Sequence, residues 1–399
     1  MLLRSAVALT CALLLASCAP GPAAATSPTP RAAGTVGGAP PPTGSGAPAP
    51  TPSPAPTKAP QVPTLTPSVV QSGLRIPWDI AFAPDGRMFV TERAGNILIF
   101  ANGEPNAPRV GHTSLTNMRA VDEAGLMGIA LDPDFATNGF AYVCASRVDE
   151  GEWRNQVLRY RASGNSLEFD RYVIQRGIRA SNIHDGCRVR FGPDGKLWVS
   201  MGDAAVGRSA QDPNALNGRL LRVNADGSIP ADNPILPGAS ARTAAYTMGD
   251  RNPQGIAFEP GTGRVFEIEH GEDTHDEINL VEPGANYGWP IVEGSAPGRG
   301  FKDPLWSSGK DGTLATSGGV FVTGTAWGTW SGSLMICTLK ESDLRRFTVD
   351  GTTVEPAEVL FDNRYGRLRS PVLAPDGSLY FTTSNGSGDR IIRVVPTQP

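Results

Sequence analysis

The stretch APDGRMFVTE, Ala83 to Glu92, decides the fold of this chain. Pro-Asp-Gly makes a tight turn: proline presets φ at its first central position, and glycine accepts the positive φ that closes it. Met88-Phe89-Val90 then forms a short apolar run ending in Thr and Glu, which reads as a buried strand. The unit returns as GPDGKLWVSMGD (Gly192 to Asp203) and APDGSLYFTTSNG (Ala374 to Gly386). Looser copies are DPDFATNGFAYVCAS from Asp132, EPGTGRVFEIEHG from Glu259 and GTWSGSLMICTLK from Gly328. No long amphipathic helical pattern separates them. Six turn-and-strand units predict an all-β fold, a six-bladed β-propeller, with the strand after each turn second of four in its blade. A β-sandwich is the simpler alternative, but six similar units suit a closed ring better. Loops at one end of a propeller's channel converge, so function is expected just before and after these strands.

Outside the repeats, Met1 to Ser17 has the form of a secretory signal: Arg4, then an apolar run from Ala6 to Ala16 too short for a stable span. It ends in LASC, Leu15 to Cys18, which resembles a bacterial lipobox; the resemblance implies a lipid on Cys18 and an extracytoplasmic, membrane-anchored protein. Ala19 to Val62 is rich in proline and carries no acidic residue. Such a chain buries too little apolar surface to offset its ordering entropy and favours extended polyproline conformations. It reads as a tether, with an upper reach on the order of 130 Å at about 3.1 Å per residue. The domain boundaries expected are therefore 1–17, 18–62 and a propeller over 63–399.

The first 62 residues hold three basic side chains (Arg4, Arg31, Lys58) and no acidic ones, which leaves the propeller net acidic. That argues against nucleic-acid binding. Beyond Cys11 and Cys18, three cysteines remain: Cys144, Cys187 and Cys337. At most one internal bridge can form among them, and the pairing stays open.

Five islands contain polar residues that no strand-and-turn repeat requires: VDEAGLMGIALDPDF (Val121 to Phe135), NIHDGCRVRFGPDG (Asn182 to Gly195), GDRNPQGIAF (Gly249 to Phe258), EHGEDTHDEINLVEPGANYGWP (Glu269 to Pro290) and RYGRLRSPVLAPDG (Arg364 to Gly377). In this order they resemble the soluble quinoprotein aldose sugar dehydrogenases, glucose/sorbosone dehydrogenase-like propellers that use pyrroloquinoline quinone (PQQ) and calcium. The resemblance runs from about Gly73 to Val395, with RNPQG, DEIN and NYGWP in series as its most specific part.

It implies oxidation of an aldose at C1 to a lactone, with electrons passed to an extracytoplasmic acceptor such as a cytochrome or quinone. His184 matches the general base that removes the C1 hydroxyl proton while hydride passes to quinone C5; imidazole suits this because its pKa lies near working pH. Asp185 beside it orients or polarises the site, and Arg251 belongs to the same group. A tricarboxylate cofactor calls for cations, and guanidinium forks match carboxylates. The implied cofactor residues are Arg251, Asn252, Thr313, Lys340, Arg367 and Arg369; strand-like alternation would put the last two on one face. Calcium prefers oxygen ligands, backbone carbonyls included. The implied pair is the carbonyls of Gly271 and Glu272, and the ion would act as a Lewis acid. Asp276 and Glu277 offer a second, structural calcium site.

Several positions depart from the family pattern. Glu123 stands where a glutamine near the sugar is usual, Cys187 where glycine is customary, and Glu272 where proline is frequent. His275 has no explanation in the pattern. Glu123 keeps a second reading open, a non-catalytic cell-surface propeller that binds carbohydrate or protein. A third, a metal-dependent lactonase, would want carboxylates on the ion and gives no reason for four converging cations.

Overall fold

Six antiparallel sheets follow one another along the chain in the computed structural model, which describes residues 59–399. The signal and most of the tether expected above lie outside the described residues.

Blade 1 contains strands Pro77–Phe82, Met88–Glu92, Asn96–Phe100 and Arg109–Ser114, paired in that order. Blade 2 contains Leu126–Leu131, Phe140–Asp149, Glu152–Ser163 and Ser166–Ile174. Blade 3 has Gly186–Phe191, Leu197–Met201 and Arg219–Val223; blade 4 has Pro253–Phe258, Val265–Glu269, Glu277–Leu280 and Trp306–Ser307. Blade 5 has Thr316–Phe321, Leu334–Thr338, Leu344–Asp350 and Thr353–Leu360. Blade 6 has Val372–Leu373, Leu379–Thr382 and Asp389–Thr397, with the N-terminal strand Thr64–Leu74 as its outer member.

This is the six-bladed propeller, and the strand after each turn is second in its blade in all six cases. Blade 3 departs from the expected four strands. Its sheet has three, and the chain at Ala245 makes only an isolated bridge to Leu221 in the fourth place. Sequence from both ends of the domain builds blade 6, where Thr64 pairs with Thr397 and Val69 with Ile392, so the ring closes by strand pairing.

The core is divided between the blades. Phe89 and Ile99 of blade 1 pack with Val143 and Leu158 of blade 2, while Ile268 and Phe266 of blade 4 pack with Ile336 and Phe347 of blade 5. Each fully buried side chain of this size contributes about 1.5–3 kcal/mol. The innermost strands lie side by side around the ring. Arg188, 1% exposed, ties them together: its Nη1 lies 3.0 Å from Asp79 Oδ1 of blade 1 and donates to Ser370 Oγ at 2.7 Å, and its Nε donates to Gln254 O of blade 4 at 3.0 Å. The guanidinium also stacks on Trp78.

The open pairing question is resolved as Cys144–Cys187, and Cys337 is free and buried. The bridge joins the second strand of blade 2 to the first of blade 3. Cys187 has φ 67°, in the left-handed region that glycine adopts most readily. That explains why a glycine is at home there.

Candidate active site

The loop carrying His184 is held from three directions. His184 itself has φ 61° and Gly186 φ 62°, so the chain turns sharply where the imidazole projects. The His184 N–H donates to Glu123 Oε2 at 3.0 Å, and the Gly186 N–H donates to Asn252 Oδ1 at 3.2 Å. Asp203, at the end of the second strand of blade 3, meets the imidazole: its Oδ1 lies 2.8 Å from Nδ1. Asp203 also accepts from the Ala205 N–H at 2.8 Å and the Trp289 indole N–H at 2.8 Å. A carboxylate so surrounded only accepts, so Nδ1 carries the proton and donates it. Nε2 is left as a lone pair with no partner among the described residues. The side chain is 12% exposed. A half-buried, oriented imidazole with a free lone pair can take a proton from a bound hydroxyl.

Asp185 is buried one residue away but turns from His184. Its Oδ1 accepts from Asn155 Nδ2 at 2.7 Å and Ser181 N–H at 3.1 Å, and its Oδ2 is buried without a partner. Burial pushes its carboxyl up to about 8. Glu123 links loops rather than standing alone: Oε2 also accepts from Asn252 Nδ2 at 3.1 Å and Gln254 Nε2 at 3.4 Å.

The expected cations divide into two kinds. Arg369 is 4% exposed, and its Nη1 donates to Gln254 Oε1 at 3.1 Å. Burial lowers its pKa to about 9, against the raising influence of Glu123. Lys340 and Arg367 are exposed, with no side-chain hydrogen bond or ion pair among the described residues. Burial of part of the Arg367 side chain lowers its pKa, against the raising influence of Glu123. Arg251 is buried and lies 5.4 Å from the Trp289 ring centre. Its Nη1 donates to the carbonyls of Gly271 at 2.7 Å and His270 at 3.0 Å, while its Nε is buried and unpaired.

Other predicted residues are engaged within the protein. Asn252 uses both ends of its amide on the His184 loop and Glu123. Thr313 donates its hydroxyl to Asp276 at 2.8 Å. Asp276 takes the Gly271 N–H at 3.0 Å and the Ala315 N–H at 3.0 Å, so it braces the Gly271 loop against the 313–315 turn. Glu277, by contrast, accepts from the Gly294 N–H at 2.6 Å and lines a small cavity with Glu269, Trp289 and Glu293. Glu272 is exposed, and His275 Nδ1 lies 3.1 Å from Ser307 Oγ, where it fastens the loop to the edge strand.

Sequence reasoning missed three residues. Asp203 looked like the ordinary end of a repeat strand. Gln254 sits inside RNPQG, where Arg251 drew the attention. Arg93 follows the first repeat strand and donates to the Asp122 carbonyl, and it lies near enough to Arg369 for their charges to interact. For Asp203 and Arg93 the available signal was position, directly after the second strand of a blade.

An oriented imidazole and basic side chains gathered by loops of several blades define a propeller of the sugar dehydrogenase class. Residues 74–393 match the family model described as glucose/sorbosone dehydrogenase, and the chain belongs to that family. It is 30% identical to the aldose sugar dehydrogenase YliI of Escherichia coli, over 84% of this chain and 93% of that protein. Against quinoprotein glucose dehydrogenase B of Acinetobacter calcoaceticus the identity is 31%, over 58% of this chain and 54% of that one. The PQQ-bound aldose sugar dehydrogenase from Streptomyces coelicolor superposes with a TM-score of 0.71 at 32% identity, covering 85% of this chain and all of that one.

Proposed function

We propose that this chain is a PQQ- and calcium-dependent aldose dehydrogenase that oxidises the sugar C1 carbon to a lactone and passes the electrons to an extracytoplasmic acceptor. The single observation that carries the reading is the His184–Asp203 pair at 2.8 Å, with Arg369 linked to the same loops through Gln254 and Glu123.

The residues present fit the cofactor. A planar tricarboxylate needs cations without prior partners and buried donors left over, and Lys340, Arg367 and Arg251 Nε meet that description. The carbonyls of His270 and Gly271 already converge on one positive group, the Arg251 guanidinium, so this turn suits a cation. Gly271, one of the two residues whose carbonyls the sequence implies as ligands, is part of this turn, and Glu272 follows it directly. Lys340, Arg367, Arg369 and Arg251 would hold the quinone, and the Gly271 turn would hold calcium. When bound, the quinone supplies the two-electron acceptor and the ion a Lewis acid.

The protein's own part is acid–base and positional. His184 Nε2 takes the C1 hydroxyl proton, and Asp203 stabilises the imidazolium that forms. Two electrons and one further proton leave the C1–H, which balances the conversion to a lactone. Glu123 keeps the His184 loop against blade 4. Asp185, turned into the protein, supports that loop. Residues 1–62 would place the enzyme outside the cytoplasm, anchored through a lipid on Cys18.

The test is reconstitution. Chain purified without cofactor is given PQQ, calcium, both or neither, and dye reduction is followed with several aldoses. Turnover that needs both additions supports the reading. Quinone binding without turnover on any aldose would favour a non-catalytic carbohydrate-binding propeller.

A further inference from the structure

Blade 4 buries more negative charge than the reaction uses. Asp250, Glu267 and Glu269 each offer an oxygen within 4.8 Å of the others, and all three are buried. The strands explain how they meet. Glu267 pairs with Asn279 and Glu269 with Glu277 across two neighbouring strands, so these side chains share one face of the sheet. Asp250, just before RNPQG, closes over that face from the loop.

What fills this space is not supplied by the protein. Both carboxylate oxygens of Glu267 are buried with no hydrogen-bond partner, and so are Asp250 Oδ1 and Asn279 Oδ1. Glu267 and Asn279 are fully buried. Asn279 turns its Nδ2 to Glu269 and Glu277 at 3.3 Å, which leaves Oδ1 as an acceptor without a donor. None of the three acids forms an ion pair among the described residues. Arg219, whose charge acts on Asp250, directs its Nε and Nη2 to backbone carbonyls, and its buried Nη1 makes no hydrogen bond to any of the acids. Burial drives the carboxyls of Glu267 and Glu269 well up and that of Asp250 to about 7.

Each proton placed on these acids supplies a single O–H donor to one neighbour, whereas four oxygens here stand without a partner. One hard divalent cation answers them together. We propose that Asp250, Glu267 and Glu269, with the side-chain oxygen of Asn279, form a buried calcium site within blade 4, separate from the Gly271 turn. The donor set is all oxygen, which suits calcium and excludes soft-metal chemistry. Together these side chains offer up to seven oxygens, within the range of about six to eight that calcium takes. Magnesium keeps several waters in its shell, and a fully buried site has less room for them. The ion is structural: it stitches the RNPQG loop to the middle strands of the blade that carries the Gly271 turn.

The experiment uses the full chain, without quinone, stripped by chelator and then equilibrated with calcium or magnesium. Bound metal is counted by mass spectrometry of the desalted protein, and thermal unfolding is followed in calcium and in chelator. We expect the wild type to hold one calcium equivalent more than Glu267→Gln or Asp250→Asn. We also expect a crossover: Glu267→Gln melts below the wild type in calcium and above it in chelator, because a buried ionisable group is gone. Equal calcium content in wild type and both variants, with the same calcium-induced shift in melting temperature, would overturn the site. If Glu267→Gln does not fold, Asp250→Asn alone decides the stoichiometry. Because no quinone or sugar is present, the result stands apart from the dehydrogenase reading.

Discussion

His184 Nδ1 and Asp203 Oδ1 lie 2.8 Å apart, and this contact fixes which imidazole nitrogen can act as base. Asp203→Asn keeps the shape of the pair but offers an amide, which can accept from Nδ1–H only with one of its two ends. If the amide N–H turns inward, the imidazole must carry its proton on Nε2 and loses the free lone pair. Turnover should fall by about 10²–10⁴-fold, the range of a lost general base. The circular dichroism spectrum and quinone affinity should stay close to wild type. Steady-state dye reduction alongside a quinone titration checks both halves.

Glu123 acts as a fastener. Its Oε2 serves the His184 N–H, Asn252 and Gln254. Glu123→Ala leaves these buried donors unmet and should cost about 1–3 kcal/mol of stability. Glu123→Gln keeps one acceptor oxygen in place and should cost less than half as much. Urea unfolding of the two variants beside the wild type measures the difference.

Asp185 predicts a pH slope. Its carboxyl holds a proton in the folded chain up to about pH 8, whereas a free aspartate loses it at about pH 3.9. Between those values the folded state binds more protons than the unfolded state, so stability should fall as pH rises across that window. The limiting slope for one group is about 1.4 kcal/mol per pH unit. Asp185→Asn, which cannot ionise, should flatten it. Urea unfolding from pH 5 to 8 is the measurement.

The bridge between Cys144 and Cys187 spans 43 residues. Removing it as Cys144→Ser with Cys187→Ser should cost about 2–4 kcal/mol. The left-handed φ of Cys187 adds a second expectation. Cys144→Ser with Cys187→Gly loses the same bridge but relieves the strained backbone, and should be more stable than the double serine by about 1–2 kcal/mol. Thermal unfolding ranks the three proteins.

The ring was legible because each blade spends a Pro-Asp-Gly or similar turn in front of its second strand, and turn chemistry is local. Blade 3 was less so. Only tertiary contact shows Ala245 bridging Leu221 in its fourth place. The N-terminal strand could not be placed by period, since it completes blade 6 from the other end of the domain. His184 stood out as a rare imidazole beside a repeat strand. Asp203 did not, because an acid closing a strand is also what the repeat itself supplies. The turning of Asp185 into the protein, and the bracing of the Gly271 loop by Asp276, depend on packing between segments far apart in sequence. The contact of Glu267 and Glu269 with Asp250 needed the strand register, which alternation suggests but does not set.

Single-turnover reduction of the bound quinone tests the central claim most directly. Chain loaded with PQQ and calcium is mixed rapidly with excess aldose, with no dye present, and the quinone absorbance is followed in wild type and His184→Ala. The account predicts rapid bleaching in the wild type, and equal quinone binding with at least about 10²-fold slower bleaching in the variant. Bleaching at the wild-type rate in His184→Ala would contradict it.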